Sequence, residues 1–402
     1  MTTNQSKIEK LISELCPKGV EFKELGEIAQ ILNGYSFKST KYSASGIRVI
    51  RISDVQKGKI SDDNLKFYPL QTESKIKNYL LRENDLVMSL TGNVGRVAML
   101  SKKDLPAGLN QRVACIRVKD PNVISTRFLF HFFDQDIFEK DGMNAATGAG
   151  QKNMSTTWLS RYKIPLPPLA IQEEIVKILN SFTELETELE TELETRKKQY
   201  EHYYNKLLTT NDSAHITLNE VGKVSMCKRI FKNETLTSGD IPFYKIGTFG
   251  KEPNAFISQK IYDEYRKKFS FPKKGDVLLS ASGTIGRRVI YNGEPAYFQD
   301  SNIIWIDNDE SKVLNKFLYY LYATVEWKTE GGTIQRLYND NIKKIKIPIP
   351  PLAEQERIVS ILDKFDALVN DISIGLPAEL LARRQQYEYY RDNLLTFNEY
   401  AK

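Results

Sequence analysis

A chain of 402 residues is long enough for two to three domains, and its 41% hydrophobic content supports real cores. No apolar run is long enough to cross a membrane, and the polar first ten residues lack the apolar core of a signal peptide, so a cytoplasmic location is expected. A net charge of +6 and a pI near 8.8 admit a polyanionic partner without requiring one. Three widely separated cysteines, Cys16, Cys115 and Cys227, argue for reduced, buried thiols rather than a disulfide or a zinc site.

In chain order, residues 1–20 read as a leader helix closed by Cys16-Pro17-Lys18-Gly19. Residues 21–165 follow as an α+β domain. Its expected strands are Ile47-Arg-Val-Ile-Arg-Ile-Ser53, Asp85-Leu-Val-Met-Ser-Leu90 and Gln111-Arg-Val-Ala-Cys-Ile-Arg-Val118, and a helix is expected over residues 125–134. Residues 166–210 open on Pro167-Pro168 and then run about forty residues without Gly or Pro, as a helix does. Apolar residues at Ile175, Ile178, Phe182, Leu185, Leu189, Leu193, Tyr200, Tyr203 and Leu207 give the three-four spacing of a coiled-coil seam, interrupted by Arg196. Such a helix would extend roughly 60 Å and bridge domains rather than sit inside one. Its middle holds three Thr-Glu-Leu-Glu repeats from Thr183, an acidic stretch that repels phosphate and reads as a spacer.

The rest of the chain repeats the first half. Lys163-Ile-Pro-Leu-Pro-Pro-Leu-Ala-Ile-Gln172 returns as Lys346-Ile-Pro-Ile-Pro-Pro-Leu-Ala-Glu-Gln355, offset by 183 residues. Arg196-Lys-Lys-Gln-Tyr-Glu-His-Tyr-Tyr204 returns as Arg383-Arg-Gln-Gln-Tyr-Glu-Tyr-Tyr-Arg391, offset by 187. The duplication defines a second α+β domain, 211–347, and a second long helix, 348–402, in which Gly375 and Pro377 predict a break or bend. Between the domains, Glu24-Leu-Gly-Glu-Ile28 matches Glu220-Val-Gly-Lys-Val224, and Phe128-Leu-Phe-His-Phe-Phe133 matches Phe317-Leu-Tyr-Tyr-Leu-Tyr322. The domain interiors otherwise diverge more than the helices do, which implies one frame carrying two different surfaces.

Catalytic signatures are absent from the sequence. His131, His202 and His215 are scattered, and no phosphate-binding GxxxxGK[ST] loop occurs. No Asn/Asp-Pro-Pro-aromatic loop of an amino-methyltransferase is found, and Asp62, Asp63, Glu73 and Lys75 imitate a nuclease cluster only loosely. Three features point to nucleic acid. Thr91-Gly-Asn-Val-Gly-Arg96 and Ser282-Gly-Thr-Ile-Gly-Arg287 are glycine turns whose Arg96 and Arg287 are expected to meet phosphate; a hairpin turn with a solvated arginine is the plainer alternative. Gln111-Arg112, Gln151-Lys152 (matched to Gln335-Arg336) and Gln299 with Asn302 place amides and cations where adenine or guanine edges could be read, although ordinary turn amides look the same. Lys38, Lys228 and Arg229 lie in aromatic–basic stretches at equivalent domain positions.

Two diverged domains alternating with two near-identical long helices resemble the specificity subunit of type I restriction-modification enzymes. The paired Ile-Pro-Leu/Ile-Pro-Pro-Leu-Ala-x-Gln openings, the Arg-Lys/Arg-x-Gln-Tyr-Glu-x-Tyr-Tyr closings, the tetrapeptide repeats and Gly375-Leu-Pro-Ala-Glu379 carry the resemblance over nearly the whole chain. It implies two target recognition domains, each reading half of a bipartite double-stranded DNA site, joined by two antiparallel coiled-coil helices that fix the spacing. It also implies two methyltransferase subunits docked on the helices, and restriction subunits. The chain itself would be non-catalytic and hold no cofactor, with S-adenosylmethionine, ATP and magnesium in the partners. The alternatives are an enzyme with an unrecognised nuclease or methyltransferase site, and a helical adaptor that binds no DNA.

Overall fold

The computed structural model describes residues 7–148, 152–209, 213–330 and 335–400, which form two compact units: Met1–Glu190 with Glu379–Lys402, and Thr191–Ala378. Unit 1 begins with α1 (Lys7–Leu15), β1 (Glu21–Glu24), α2 (Leu25–Ile28), β2 (Ala29–Asn33), β3 (Ile47–Ile50) and β4 (Phe67–Tyr68). It continues through β5 (Leu86–Ser89), β6 (Val97–Met99), β7 (Ala107–Leu109), β8 (Val113–Val118), α3 (Thr126–Phe133), α4 (Asp136–Ala145), α5 (Thr156–Arg161) and β9 (Lys163–Leu166). The 40-residue helix α6 (Leu169–Leu208) starts here and ends in unit 2. Unit 2 holds β10 (Ala214–Thr217), α7 (Leu218–Val221), β11 (Gly222–Ser225), β12 (Ile241–Tyr244), β13 (Phe256–Ile257), α8 (Gln259–Lys268) and β14 (Val277–Ser280). Then come β15 (Arg288–Ile290), β16 (Tyr297–Phe298), β17 (Ile303–Asn308), α9 (Asn315–Leu321), α10 (Asn339–Lys343), β18 (Lys346–Ile349) and α11 (Leu352–Asn370); α12 (Leu376–Leu394) returns to unit 1.

The two domains share one topology. Each has an antiparallel four-stranded sheet, β2-β8-β5-β6 or β11-β17-β14-β15, and a three-stranded sheet, β4-β3-β7 or β13-β12-β16. The central strands are buried on both faces, so they read as unbroken apolar runs rather than alternating ones. Leu86, Met88, Ala114 and Ile116 pack toward the helices, while Val87, Val113 and Cys115 pack toward Ile50 and Leu109 of the second sheet. In unit 2, Leu279, Ile304 and Ile306 face Phe317 and Leu318, and Leu278, Ile303 and Trp305 join the second core.

The duplicated Ile-Pro-Leu/Ile motif is a strand that closes each domain, β9 on β1 and β18 on β10. Proline is tolerated there because each pair is an isolated two-stranded ribbon with free edges. The glutamine three residues into each helix then locks helix to domain. Gln172 accepts from Ser125 N–H (2.9 Å) and donates to the carbonyls of Pro167 (2.8 Å) and Val123 (3.1 Å). Gln355 repeats this with Leu314 N–H and the carbonyls of Pro350 and Lys312, and both glutamines are 0% exposed. The most buried positions of α6 are therefore Ile171, Gln172, Ile175, Leu179 and Leu208, which pack on the domains. The expected seam of Leu185, Leu189 and Leu193 is only half-buried.

In unit 1 α6 runs antiparallel to α12, with Phe182 stacked on Tyr390 and Glu186 paired with Arg384. The second copy is not one helix: α11 stops at Asn370 and α12 starts at Leu376. The four residues by which the copies differ are absorbed at this break. A Cβ on Gly375 would strike the carbonyls of Ala367, Leu368 and Asp371, so only glycine fits there. Pro377 falls in the first turn of α12, where its missing N–H costs nothing.

Candidate nucleic-acid interface

The end of each four-stranded sheet is built the same way from residues distant in sequence. Beyond β5, Leu90 N–H bonds the Arg112 carbonyl (3.1 Å), and the Leu90 carbonyl accepts from Met154 N–H (2.8 Å). Beyond β14, Ala281 N–H bonds the Asn302 carbonyl and its own carbonyl accepts from Leu337 N–H, both at 2.8 Å. Each glycine turn is thus clasped between the loop before β8 or β17 and the loop ahead of α5 or α10. Thr91 bridges Asn153 and Ser282 bridges Arg336, so Asn153 is the structural counterpart of Arg336, and Lys152 that of Gln335. The sequence matching of Gln151-Lys152 to Gln335-Arg336 is one residue out of register. Gln151 itself lies outside the described residues.

The turns are stapled by a serine. Ser89 Oγ donates to the Asn93 carbonyl and accepts from Arg96 N–H; Ser280 Oγ does the same with Thr284 and Arg287. Gly92 and Gly95 (φ 72° and 89°), like Gly283 and Gly286 (66° and 83°), supply the left-handed backbone these tight turns need. The arginines are half-buried, and each has a partner. Arg96 donates to Gln56 Oε1 (2.9 Å) and lines a cleft of about 1020 Å³ that Glu186 and Glu190 of α6 also line. Arg287 donates to the Phe249 carbonyl (2.8 Å). Both guanidinia tether a neighbouring loop to the hairpin.

The remaining candidates do converge. In unit 1, exposed Gln111, Arg112 and Lys152 border the turn; Gln111 N–H bonds the Tyr35 carbonyl, and three residues on, Lys38 exchanges main-chain bonds with the Tyr68 hydroxyl. In unit 2, Asn302 Oδ1 accepts from Ser282 Oγ (2.6 Å), and exposed Arg336 and Gln335 lie on the other side of the turn. Arg229 pairs with Asp300 (2.9 Å), and Lys228 Nζ sits 5.0 Å over the Phe269 ring. Gln299 is half-buried and accepts from Ile246 N–H (2.9 Å), which makes it a loop-holding amide. Thr91 Oγ1, equivalent to Ser282 Oγ, is buried with no hydrogen-bond partner among the described residues, since Arg112 stands where unit 2 has Asn302.

Helix α8 was not anticipated. It ends in Arg266, Lys267 and Lys268 and stops against Phe269, beside Lys228; the basic run was visible in the sequence, its adjacency to the rim was not. Unit 1 has a 3₁₀ segment, Leu70–Tyr79, in the same interval between β4 and β5. Asp62, from the nuclease-like group, is an ion-pair partner of Arg48 (2.9 Å). Among the described residues no group of three or more His, Cys, Asp or Glu could hold a metal, and no helix is long and apolar enough to cross a membrane.

Two solved structures share this fold. A type I restriction-modification system S subunit from M. genitalium superposes with a TM-score of 0.53 at 16% identity, covering 94% of this chain and 96% of its own. A chain from a structure concerned with complex assembly and conformational transition of the type I R-M system gives 0.58 at 17% identity, covering 94% and 98%. The type I restriction modification DNA specificity domain matches twice, at residues 17–196 and 211–382. The chain belongs to that family. It is 44% identical, over 99% of its length and all of the relative's, to a protein of Haemophilus influenzae assigned as a type I restriction enzyme specificity subunit. A type I specificity subunit of Escherichia coli is 33% identical over 60% of this chain and 65% of that protein.

Proposed function

We propose that this chain is the DNA sequence-specificity subunit of a type I restriction-modification complex, each domain reading one half of a bipartite site. The observation that carries this is the pair of rims: one backbone arrangement presenting Arg112, Gln111 and Lys152 in unit 1 and Asn302, Arg336, Gln335, Arg229 and Lys228 in unit 2. Arginine reads guanine and asparagine reads adenine in the major groove, so equal frames with unequal side chains suit two different half-sites. Exposed lysines and the basic end of α8 supply sequence-independent phosphate contacts. Arg96 and Arg287 hold the turns and make no phosphate contact in this reading.

The helices would carry two methyltransferase subunits and, through the whole complex, restriction subunits. S-adenosylmethionine, ATP and magnesium would reside in those partners, and the chain would contribute no catalytic group. Grafting a foreign recognition domain over residues 213–345 should change one half of the methylated motif and leave the other intact, as read by methylation-sensitive sequencing. If both halves change, or if the pure chain methylates DNA with S-adenosylmethionine, the reading fails. Deleting one Thr-Glu-Leu-Glu repeat from α6, residues 187–190, shortens the helix by about 6 Å and rotates its end by about 40°. Because a base pair turns DNA by roughly 35°, the gap should shorten by one base pair with both half-sites retained.

A further inference from the structure

Between β11 and β12, unit 2 sets a bare aromatic ring beside its polar rim. Phe231 is 57% exposed, while Ile230 before it packs against the second core. The backbone under the ring is fixed. Phe231 N–H donates to the Glu234 carboxylate (2.7 Å), and the Phe231 carbonyl accepts from Glu234 N–H (2.9 Å), across a short 3₁₀ turn, Lys232–Glu234. Glu234 also accepts from the Tyr265 hydroxyl of α8 (3.0 Å). Two residues before the ring, Arg229 pairs with Asp300, whose carbonyl accepts from Asn302 N–H (2.7 Å). The loop bearing Phe231 is thus tied on one side to the Asn302 rim and on the other to α8.

Unit 1 builds the same post and puts a different side chain on it. Leu32 faces Cys115 in the β2–β8 pair as Ser225 faces Trp305 in the β11–β17 pair. Lys38 and Phe231 follow at equal distance, and each leads into a 3₁₀ turn, Ser39–Lys41 or Lys232–Glu234. Both side chains are exposed. A lone exposed phenylalanine is ordinary. A ring on the post where the twin domain carries a cation is a change of chemistry at an outward-facing position of a shared frame. Its surroundings suit DNA rather than protein: Lys228, Arg229 and Lys232 are all exposed beside it, and lysine is depleted in protein interfaces but attracts phosphate. With no donor or acceptor on the ring, Phe231 can address only an apolar feature of the duplex. In the major groove, where asparagine and arginine read base edges, that feature is the thymine methyl group. Apolar wedges that part base pairs enter from the minor groove instead.

Resting on the half-site reading of the rims, we propose that Phe231 is a specificity-determining residue of unit 2, its ring meeting a thymine methyl in the major groove. The test uses the full chain reconstituted with its methyltransferase subunits, on duplexes carrying the site found by methylation-sensitive sequencing. Each thymine is replaced in turn by deoxyuridine, which removes the methyl and keeps the base pair. One replacement in the half-site of unit 2 should weaken wild-type binding about fourfold, the value of burying one methyl group. The same replacement should have no effect on Phe231→Ala, because ring and methyl act as one pair. Phe231→Lys, which installs the unit 1 residue, should lose the effect as well, and Phe231→Leu should keep part of it. The side chain lies outside the core, so all three variants should melt with wild type. If no replacement separates wild type from Phe231→Ala, the methyl contact is overturned and the half-site reading stands. A wild-type complex that shows no sequence preference at all would overturn that reading itself. A 2-aminopurine base in the half-site that brightens with wild type and not with Phe231→Ala would show the ring wedged between base pairs, which also overturns the methyl contact.

Discussion

The two junctions where helix meets recognition domain solve one packing problem with different chemistry. In unit 1, His131 bonds the Tyr387 hydroxyl through Nδ1 and Asn180 through Nε2, both at 3.0 Å, and Arg127 donates to the same Asn180 oxygen. Arg391, 1% exposed, donates to the carboxylate (3.2 Å) and the main-chain carbonyl (2.6 Å) of Asp134. The corresponding residues of unit 2 are Tyr320 for His131, Asp363 for Asn180, Lys316 for Arg127 and Tyr204 for Arg391. There the Tyr320 hydroxyl donates to Asp363, which also pairs with Lys316 (3.2 Å), and the Tyr204 hydroxyl donates to the Tyr320 carbonyl. Not one of these four positions keeps its residue, yet Gln172 and Gln355 are identical. Each clamp glutamine satisfies three main-chain groups at once, one N–H and two carbonyls, which takes both the oxygen and the nitrogen of an amide at that reach. The junction side chains, bonded mainly to one another, can change together.

The largest expected difference between the junctions lies at their last member. Arg391→Ala strands Asp134 as a buried carboxylate without its cation and should cost about 3–5 kcal/mol. Tyr204→Phe removes one neutral hydrogen bond and should cost about 1 kcal/mol. Native-state hydrogen exchange, read at α3 for the first variant and α9 for the second, separates the two, and equal losses would break the comparison. The glutamine clamps should behave oppositely: Gln172→Ala and Gln355→Ala each leave a buried N–H and carbonyls unpaired and should each cost about 2–3 kcal/mol, alike in both units. A clear inequality would mean the clamps are not equivalent.

At the rims, Arg112→Ala should relax the sequence preference in one half-site and Asn302→Ala in the other, each by about 1–3 kcal/mol of discrimination. Arg287→Ala should leave the salt dependence of DNA binding unchanged, because its guanidinium is held on the Phe249 carbonyl and ties that loop to the hairpin. Competition binding at two salt concentrations checks both; a flattened salt slope for Arg287→Ala would return that residue to the phosphate.

The smallest effect is on pH dependence, because two neighbours oppose each other. Burial lowers the His131 pKa from 6.5 to about 3, so its contribution to stability grows as pH rises through that window. Burial raises Asp134 from 3.8 to about 6 despite Arg391, so its contribution is full below 3.8 and is lost as pH rises toward 6. Unit 1 should therefore show a shallow slope between pH 4 and 6. Asp134→Asn should uncover the histidine and make stability rise across that range, measured by hydrogen exchange at α3. An unchanged slope would sink the assignment.

The sequence by itself determined the duplication, the long helix and the class of fold, because these rest on local periodicity and on motifs repeated along the chain. It showed that Gly375 and Pro377 would interrupt the second helix, and it located the glycine turns, whose backbone demands are also local. It did not show that Arg96 faces Gln56 and the acidic helix, or that Leu179 and Gln172 outrank the seam leucines in burial. Arg196 reads in sequence as a flaw in a coiled coil and is in fact the centre of an ordered surface triplet with Glu192 and Gln199. Asn153 was missed as the counterpart of Arg336 by a single residue, because a loop's register is set by the segment it bonds, not by its own composition. Apart from the Arg196 triplet, these features rest on contacts between residues far apart in the chain, as does the junction, where His131 and Tyr387 are 256 positions apart. Only packing the helices against the sheets decides which side chains meet there, since the same residues in another register would be equally acceptable to the local chain.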